Sequence, residues 1–451
     1  MLIHESVLSG CSSNDRLGHS RQDQRGQKTL QPETVVMTSI QIFSLLLLGC
    51  VFILSFWRHI NLGLAMLPGA FLLAHIAGLP AKTLYSGYPT QLTILVLGVM
   101  FLWHHVQESG LTSLIVRNAV KLATGRVYFL PWIMFSLTAL ISGIGALPAA
   151  AFAITIPVAL EIAKREKISV ALMGIICIQG GCVGGFSPFN PWGVLVATMA
   201  RGADIAFLST HFFVFNFILG LAVSLVAFFA FGGIHLLRRK ESIQTIGVSA
   251  LQDEMPTFSD RAYRFFAGLS VLVFIVMVVM KFDIGLTGFA LGFLLMVAFP
   301  NRVKNAVMKL PWAILIMIAG VLLYVHLLEA LGVMEEIGSF LSSASNPALV
   351  RIGLSFVGTI VANFESSSIA VLGLVIPIAI KALPHDLSAV SATWHLSVLA
   401  GSIVVMCSSP FHIGGALVLA EASSDEKVYK QLLIWVLCLA ACLPFVALLA
   451  L

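Results

Sequence analysis

The sequence predicts an all-α polytopic membrane protein made of two inverted repeats of about five crossings each, with two re-entrant hairpins and two broken helices. Three observations support this prediction. Hydrophobic residues make up 59% of the 451 residues and charged residues only 10%, whereas soluble proteins contain about 25% charged residues. Apolar runs of about 20 residues, the length that crosses a bilayer, recur from Thr38 to the C-terminus. Blocks of similar sequence also recur in the same order at nearly one spacing.

The polar segments divide the chain. Residues 1–36 are polar, contain charges of both signs and lack the apolar core of a secretory signal, so we expect a disordered tail that ends just before Met37. The predicted domains are therefore the tail 1–36, a first repeat at 37–236, a cytoplasmic linker at 237–264 and a second repeat at 265–451.

Two interrupted apolar segments have matching sequences, "GGFSPFNPWGVLVA" and "CSSPFHIGGALVLA". Their Ser-Pro-Phe triplets begin at Ser187 and Ser409. Upstream, "GVMFLWHHVQESGL" begins at Gly98 and "GVLLYVHLLEALGV" at Gly320, and the interval between these two starts is the same as that between the serines. A third pair of blocks, "IPVALEIA" and "IPIAIKAL", lies between the others at almost this interval. Three ordered matches indicate an internal duplication.

Each repeat predicts the same series of elements. The first has spans at 40–57, 60–78 and 92–108, a short helix at 111–123, an interrupted segment at 129–163, a broken span at 169–200 and a span at 211–236. The second has spans at 265–280, 283–299 and 312–330, a short helix, an interrupted segment at 348–381, a broken span at 387–420 and a span at 430–450.

The interrupted segments 129–163 and 348–381 are interpreted as hairpins that enter and leave on one side. Each repeat then has five crossings, and an odd number turns the second repeat upside down, as in many secondary transporters. With the linker in the cytoplasm, 17 Lys and Arg face inside and 5 face outside, which satisfies the positive-inside rule. The first tip, residues 142–149, is then reached from the cytoplasm and the second tip, residues 362–368, from outside. We expect a multi-pass protein of the cell inner membrane.

The tips and the two breaks, the first with Ser187 and Asn190 and the second with Ser408, Ser409 and His412, predict one binding site. Non-helical backbone at membrane depth is tolerated only around a protein-enclosed cavity. Helix N-termini there favour an anion, and unwound carbonyls and hydroxyls favour Na⁺. The candidate substrate-binding residues are Ser142, Gly145, Ser187, Asn190, Ser366, Ser367, Ser409 and His412. The candidate ion-coupling residues are Asn363, Glu365, Ser368, Gly193 and Gly415.

Charge in these four places is sparse. They contain no Lys or Arg, and Glu365 is their only acidic residue. A carboxylate at this depth is costly unless it is protonated or holds a cation, so Glu365 is the candidate for setting ion coupling. Asn190 and His412 occupy matched positions and can both donate hydrogen bonds to a carboxylate. We expect no cofactor and no metal, other than Na⁺ or H⁺ as the coupling ion.

The sequence also resembles a known family. "YSGYPTQLTILVLGVMFLWHHVQESGL", "ISGIGALPAAAFAITIPVAL" and "GGFSPFNPWGV" are similar to the MatC-like malonate/dicarboxylate carriers, which belong to the ion transporter superfamily with the divalent-anion:sodium symporters. The resemblance implies paired hairpins, a dimeric scaffold domain, a transport domain that moves as an elevator and a small carboxylate as substrate. In the symporter branch each tip has Ser-Asn-Thr about ten residues before a proline. The matching residues here are Leu147-Pro148-Ala149 and Ser367-Ser368-Ile369.

The sequence therefore favours a cation-coupled secondary carrier of small organic anions, in contact with membrane lipid and without a nucleic-acid partner. We expect the nearly apolar spans 40–78 and 265–299 to form the scaffold and a homodimer interface. A Na⁺/H⁺ or other ion antiporter on the same fold is the alternative. An intramembrane enzyme would need paired carboxylates, a metal-binding cluster or an activated nucleophile, and a pump would need a nucleotide motif; the sequence contains none of these patterns.

Overall fold

The computed structural model describes most of the chain after the predicted tail. The tail 1–36, residues 239–257 of the predicted linker, residues 119–123 of the predicted short helix, and Ser366 lie outside the described residues. The described residues are 37–58, 60–112, 114–115, 118, 127–238, 258–302, 306–342, 346–365, 367–383, 387–423 and 425–449.

The regular elements among the described residues are all helices, which confirms the predicted fold class. Within the described chain, six helices are long and apolar enough to cross a membrane, and shorter apolar helices accompany them. The helices of the first repeat are α1 (Ser39–Arg58), α2 (Leu62–Ile76), α3 (Ala81–Ser86), α4 (Thr90–Glu108), α5 (Leu130–Gly143), α6 (Pro148–Arg165), α7 (Val170–Gly185), α8 (Pro191–Gly202), α9 (Ser209–Ala230) and α10 (Gly233–Arg238).

The second repeat has a similar series of helices. These are α11 (Phe258–Val279), α12 (Ile284–Ala298), α13 (Trp312–Ala330), α14 (Val333–Ser342), α15 (Pro347–Phe364), α16 (Ser368–Lys381), α17 (Ala389–Val405), α18 (Ile413–Glu421) and α19 (Glu426–Cys442). Single 3₁₀ turns lie at Val127–Phe129, Ala306–Lys309, Met406–Ser408 and Leu443–Leu449.

The helix boundaries repeat at the interval seen in the sequence. Both ends of α13 follow those of α4 at the interval that separates Ser187 from Ser409, and both ends of α12 follow those of α2 in the same way. The start of α2 is fixed by Asn61, whose Oδ1 accepts a hydrogen bond from the Leu64 amide at 3.1 Å. Asp283 caps α12 similarly, through the Leu286 amide at 2.8 Å. These caps make α2 and α12 shorter than the predicted spans 60–78 and 283–299.

The matched helices α4 and α13 run in opposite directions. Helix α13 lies parallel to α2, because Gly320 packs on Gly63 and, further along both helices, Tyr324 packs against Gly69. The chain just before α4 lies beside the last turns of α13, where Ser86 Oγ is 3.3 Å from His326 Nε2. Helix α4 therefore begins at the level where α13 ends, which is the relation that an inverted repeat requires.

The hairpins cross between the repeats. Helices α5 and α6 form the first hairpin and pack on α7, and α15 and α16 form the second and pack on α17. In addition, α6 packs against α18 of the second repeat, and α16 packs against α8 of the first. Each hairpin thus contacts the second half of the other repeat's broken helix, and this exchange brings the tips and breaks to one region.

Candidate functional site

A cavity of about 640 Å³ lies where the two tips and the second break meet. Leu147, Pro148 and Ala149 line it from the first tip. Glu365, Ser367 and Ser368 line it from the second tip, and Phe411 and His412 from the second break. Trp192, just after the first break, closes the wall. The structure thus brings together four segments that are far apart in sequence.

The opposite wall of the cavity comes from the three helices α1, α2 and α13. Ser55 lies near the end of α1, Asn61 and Leu62 lie at the start of α2, and Ala313 lies at the start of α13. Asn61 Nδ2 donates a hydrogen bond to the Ala313 carbonyl at 2.9 Å, so it ties the two helix starts together. The cavity therefore lies on the boundary between the hairpin region and the crossings that precede it in each repeat.

The wall is built largely from the N-termini of helices. First-turn residues of α2, α6, α8, α13, α16 and α18 all line the cavity. Side chains cap α2 and α8, but no side chain caps α6, α13, α16 or α18. The first amide N–H groups of a helix have no intrahelical acceptor and provide about half a positive charge. Because none of the described lining residues is Lys or Arg, these termini are the main source of positive potential in the wall.

His412 is the centre of a small polar cluster in this wall. Its Nε2 lies 3.1 Å from Ser368 Oγ, and the Cys407 thiol lies 3.2 Å from the same hydroxyl. All three side chains are buried. Nδ1 of His412 is buried and has no hydrogen-bond partner. The described residues contain no group of three or more His, Cys, Asp or Glu that could hold a metal ion.

Glu365 forms the second ionisable position in the wall. It ends α15, and its Oε1 accepts a hydrogen bond from the Ser367 amide at 3.2 Å. Glu365 and His412 both line this cavity. The described wall therefore contains an acid, Glu365, and a base, His412.

Residues 142–146 of the first tip are held by the first break and do not line the cavity. Asn190 Nδ2 donates to the carbonyls of Ser142 at 2.9 Å and of Ala146 at 2.7 Å. Its Oδ1 accepts from the Trp192 amide at 3.1 Å, so the same side chain also caps α8. Ser187 Oγ donates to the Gly143 carbonyl at 2.5 Å. The backbone of the tip turns at Gly145, whose φ of 121° favours glycine.

The two breaks share one backbone design. A methyl group on Gly193 would overlap the Ser187 carbonyl, and a methyl group on Gly415 would overlap the Ser409 carbonyl. Glycine is therefore needed where each helix restarts close to its own serine. Asn363 does not line the cavity; its amide nitrogen donates to the Thr359 carbonyl at 2.9 Å and contacts Met406 Sδ at 3.1 Å.

The structure divides the predicted site residues into two groups. Those that line the cavity are Glu365, Ser367, Ser368 and His412. Those that pack outside its lining are Ser142, Gly145, Ser187, Asn190, Asn363, Gly193, Ser409 and Gly415. Ser366 is outside the described part of the chain.

Sequence reasoning missed three features of the wall. Cys407 directly precedes Ser408 and Ser409, but a lone cysteine in an apolar segment most often packs as a small buried hydrophobe. Asn61 could have been found from the sequence, because it and Asp283 occupy equivalent positions just before the first residues of α2 and α12. Phe152 gave none, since an aromatic residue in an apolar helix is most often part of the core.

Residues 37–185 match the family model of the dicarboxylate carrier protein MatC N-terminus. This stretch of the chain is MatC-like. The match runs from the start of α1 to the end of α7 and includes the first hairpin, so it confirms the predicted family resemblance. No curated protein matches the chain. The apolar helices indicate a multi-pass membrane protein, and residues 37–185 are similar to the N-terminal part of a dicarboxylate carrier.

Proposed function

We propose that this MatC-like chain is a secondary active carrier of small dicarboxylates, such as malonate or the C4 dicarboxylates. The observation that supports the proposal is the convergence of six helix N-termini on one cavity without Lys or Arg among its described lining residues. Helix N-termini stabilise carboxylates, and they do so without the tight ion pairs that would slow release. A dianion bound there needs further positive charge, which a co-transported cation supplies.

The cavity offers chemistry for both parts of a dicarboxylate. The uncapped starts of α16 and α18, with Ser368 and His412 beside them, provide hydrogen-bond donors for one carboxylate. The first tip provides the uncapped start of α6 for the other. Phe152, Trp192 and Phe411 add apolar surface for the carbon chain.

The same arrangement supports an elevator mechanism. In this proposal the two hairpins and the two broken helices move as one body, while α1, α2, α4 and α11–α13 form a static scaffold in the cell inner membrane. The position of the cavity on the boundary between these groups supports the proposal, because sliding at the boundary would carry the site across the membrane. The scaffold helices would also form a homodimer.

Uptake by purified protein in liposomes tests the function. Labelled C3–C6 dicarboxylates are offered under imposed Na⁺ or H⁺ gradients, with monocarboxylates as competitors. Saturable uptake of a dicarboxylate is expected, and Ser368→Ala should weaken it. Ser402→Ala is the matched control, because this buried serine donates at 2.7 Å to the Val398 carbonyl of its own helix and does not line the cavity. Folded protein that transports no carboxylate would overturn the proposal.

An ion antiporter remains the second candidate because Glu365 gives the cavity one carboxylate that could exchange cations. The same liposomes distinguish the two functions. Movement of protons in response to a Na⁺ gradient, measured with an internal pH dye in the absence of carboxylate, would favour the antiporter.

A further inference from the structure

We propose that the coupling ion is a proton held jointly by His412 and Glu365, and that this site does not couple to sodium. The inference rests on the proposed carrier function and specifies its cation. It depends on how the oxygen atoms of the two tips are already used, and on which titratable groups face the cavity.

Three backbone carbonyls of the first tip already accept hydrogen bonds from side chains. Sodium sites in transporters are built from unwound backbone carbonyls and hydroxyls. Here the carbonyls of Ser142 and Ala146 accept hydrogen bonds from Asn190, and the Gly143 carbonyl accepts one from Ser187. The residues that the first tip turns toward the cavity are Leu147, Pro148 and Ala149, whose side chains have no oxygen. These three carbonyls thus help to fix the shape of the tip.

The Ser368 hydroxyl of the second tip is engaged by an imidazole and a thiol, and one oxygen of Glu365 accepts the Ser367 amide, so an acid and a base lie in the same wall. Ser368 Oγ is engaged by His412 Nε2 at 3.1 Å and lies 3.2 Å from the Cys407 thiol. Imidazole and thiol groups are softer ligands than the carboxylate and carbonyl oxygens that hard cations prefer. The amide nitrogen of Asn363, also in this tip, contacts Thr359 and Met406, and Asn363 does not line the cavity.

Few titratable groups face His412, so the proton has a defined location. Glu365 lines the same cavity from the second tip, and the Cys407 thiol lies 3.8 Å from His412 Nε2. The described lining residues include no other acid and no Lys or Arg. With Nε2 bonded to Ser368, the unpartnered Nδ1 is the position where His412 can take up a proton.

Proton and dicarboxylate should bind cooperatively at this position. His412 directly precedes α18 and lies beside the start of α16, whose positive ends oppose an imidazolium in the empty cavity. A bound dianion offsets that repulsion, and the added proton in turn stabilises the dianion. Because such coupling is reciprocal, each ligand raises the affinity for the other by the same factor. This is the condition that symport requires.

The test compares pH and sodium gradients in proteoliposomes, with the membrane potential clamped by potassium and valinomycin. An acidic exterior should drive accumulation of a labelled dicarboxylate without sodium, by about tenfold per pH unit for each coupled proton. A sodium gradient at equal pH should drive none. An internal pH dye should report acidification when unlabelled dicarboxylate enters.

The variants His412→Gln and Glu365→Gln replace the imidazole and the carboxylate with amides that can still form hydrogen bonds. Their accumulation should fall to the level without a gradient, and the exchange that they retain should no longer depend on pH. His326→Gln is the matched control, because His326 bonds Ser86 away from the cavity and should keep pH-driven accumulation.

The outcomes separate the two proposals. Dicarboxylate accumulation that is driven by a sodium gradient and not by a proton gradient would overturn the proton assignment and leave the carrier function intact. Full pH-driven accumulation in both glutamine variants would also overturn it. Wild-type protein that exchanges no dicarboxylate would overturn both proposals.

Discussion

The backbones of Gly98 and Gly285 lie against each other, with no room for a methyl group on either. Gly320 and Gly63 form a second contact of the same kind, and each of these residues is the repeat equivalent of one in the first pair. The duplication thus builds two crossings of the same design, α4 on α12 and α13 on α2. Small residues at such contacts let helices approach closely where lipid provides no hydrophobic driving force.

We predict that Gly98→Ala and Gly63→Ala each destabilise the protein by about 1–3 kcal/mol, because the added methyl group overlaps a neighbouring backbone. Thermal unfolding of the detergent-solubilised protein measures the effect. Gly49→Ala in α1 is the control, since a methyl group there meets no atom within 4 Å. Equal melting temperatures for all three variants would contradict the packing role.

A second prediction concerns the anchor of the first tip. Asn190→Asp keeps the oxygen that caps α8 but loses both donated hydrogen bonds, so the Ser142 and Ala146 carbonyls lose their buried partner. Each loss costs about 1–3 kcal/mol. The expected result is a lower melting temperature together with reduced uptake.

The comparison variant is Asn216→Ala, because Asn216 is buried but its amide nitrogen donates only within its own helix. If Asn190→Asp weakens the apparent affinity for substrate and leaves the melting temperature unchanged, Asn190 contacts the substrate, as its position in the sequence predicts.

The sequence predicted the helical fold and the family resemblance well, because apolar length and the constant interval between repeated blocks are properties of the chain itself. It located the tips and breaks for the same reason, since Pro, Gly and Ser interrupt otherwise apolar segments. The sequence could not show which polar residues of the tips and breaks face the cavity. Asn190 and His412 are equivalent by position, yet Asn190 bonds backbone carbonyls and His412 faces the cavity. That difference depends on how the other repeat packs, which spacing does not reveal.

A third prediction uses the position of Cys407. Its thiol is buried in the cavity wall, so N-ethylmaleimide can reach it only when the wall opens during transport; slow inhibition of uptake is expected, and bound dicarboxylate should protect against it. Cys407→Ala should remove the sensitivity. Cys177→Ala is the matched control, since this buried thiol is enclosed by Thr138 and Thr155 away from the cavity and its loss should leave the sensitivity unchanged. Inhibition that persists in Cys407→Ala and is unaffected by dicarboxylate would place the reactive thiol elsewhere.

A fourth prediction concerns assembly. Helix α1 exposes a broad apolar face that includes Leu46 and Ile53, and it also exposes Cys50. If the scaffold forms the homodimer, a bifunctional maleimide should join two copies through Cys50, and Cys50→Ser should abolish that product. Cys438 in α19 is also exposed and lies outside the proposed scaffold, so Cys438→Ser should have no effect. A product that maps instead to residues 387–420 would contradict the scaffold interface.

The last prediction tests the inversion itself. Lys82 lies between α2 and α4, and Arg302 lies between α12 and α13, the corresponding connection of the second repeat. Two parallel repeats would place these connections on the same side of the membrane, whereas inverted repeats place them on opposite sides. Both residues are exposed, so single cysteines at them should accept a polar maleimide.

In a background without other cysteines, Lys82→Cys should react in intact cells, and Arg302→Cys should react only after the membrane is opened, because the charge distribution places the second connection in the cytoplasm. Reaction of both cysteines in intact cells would exclude the inverted arrangement, and the reverse pattern would keep the inversion but reverse the orientation of the whole protein.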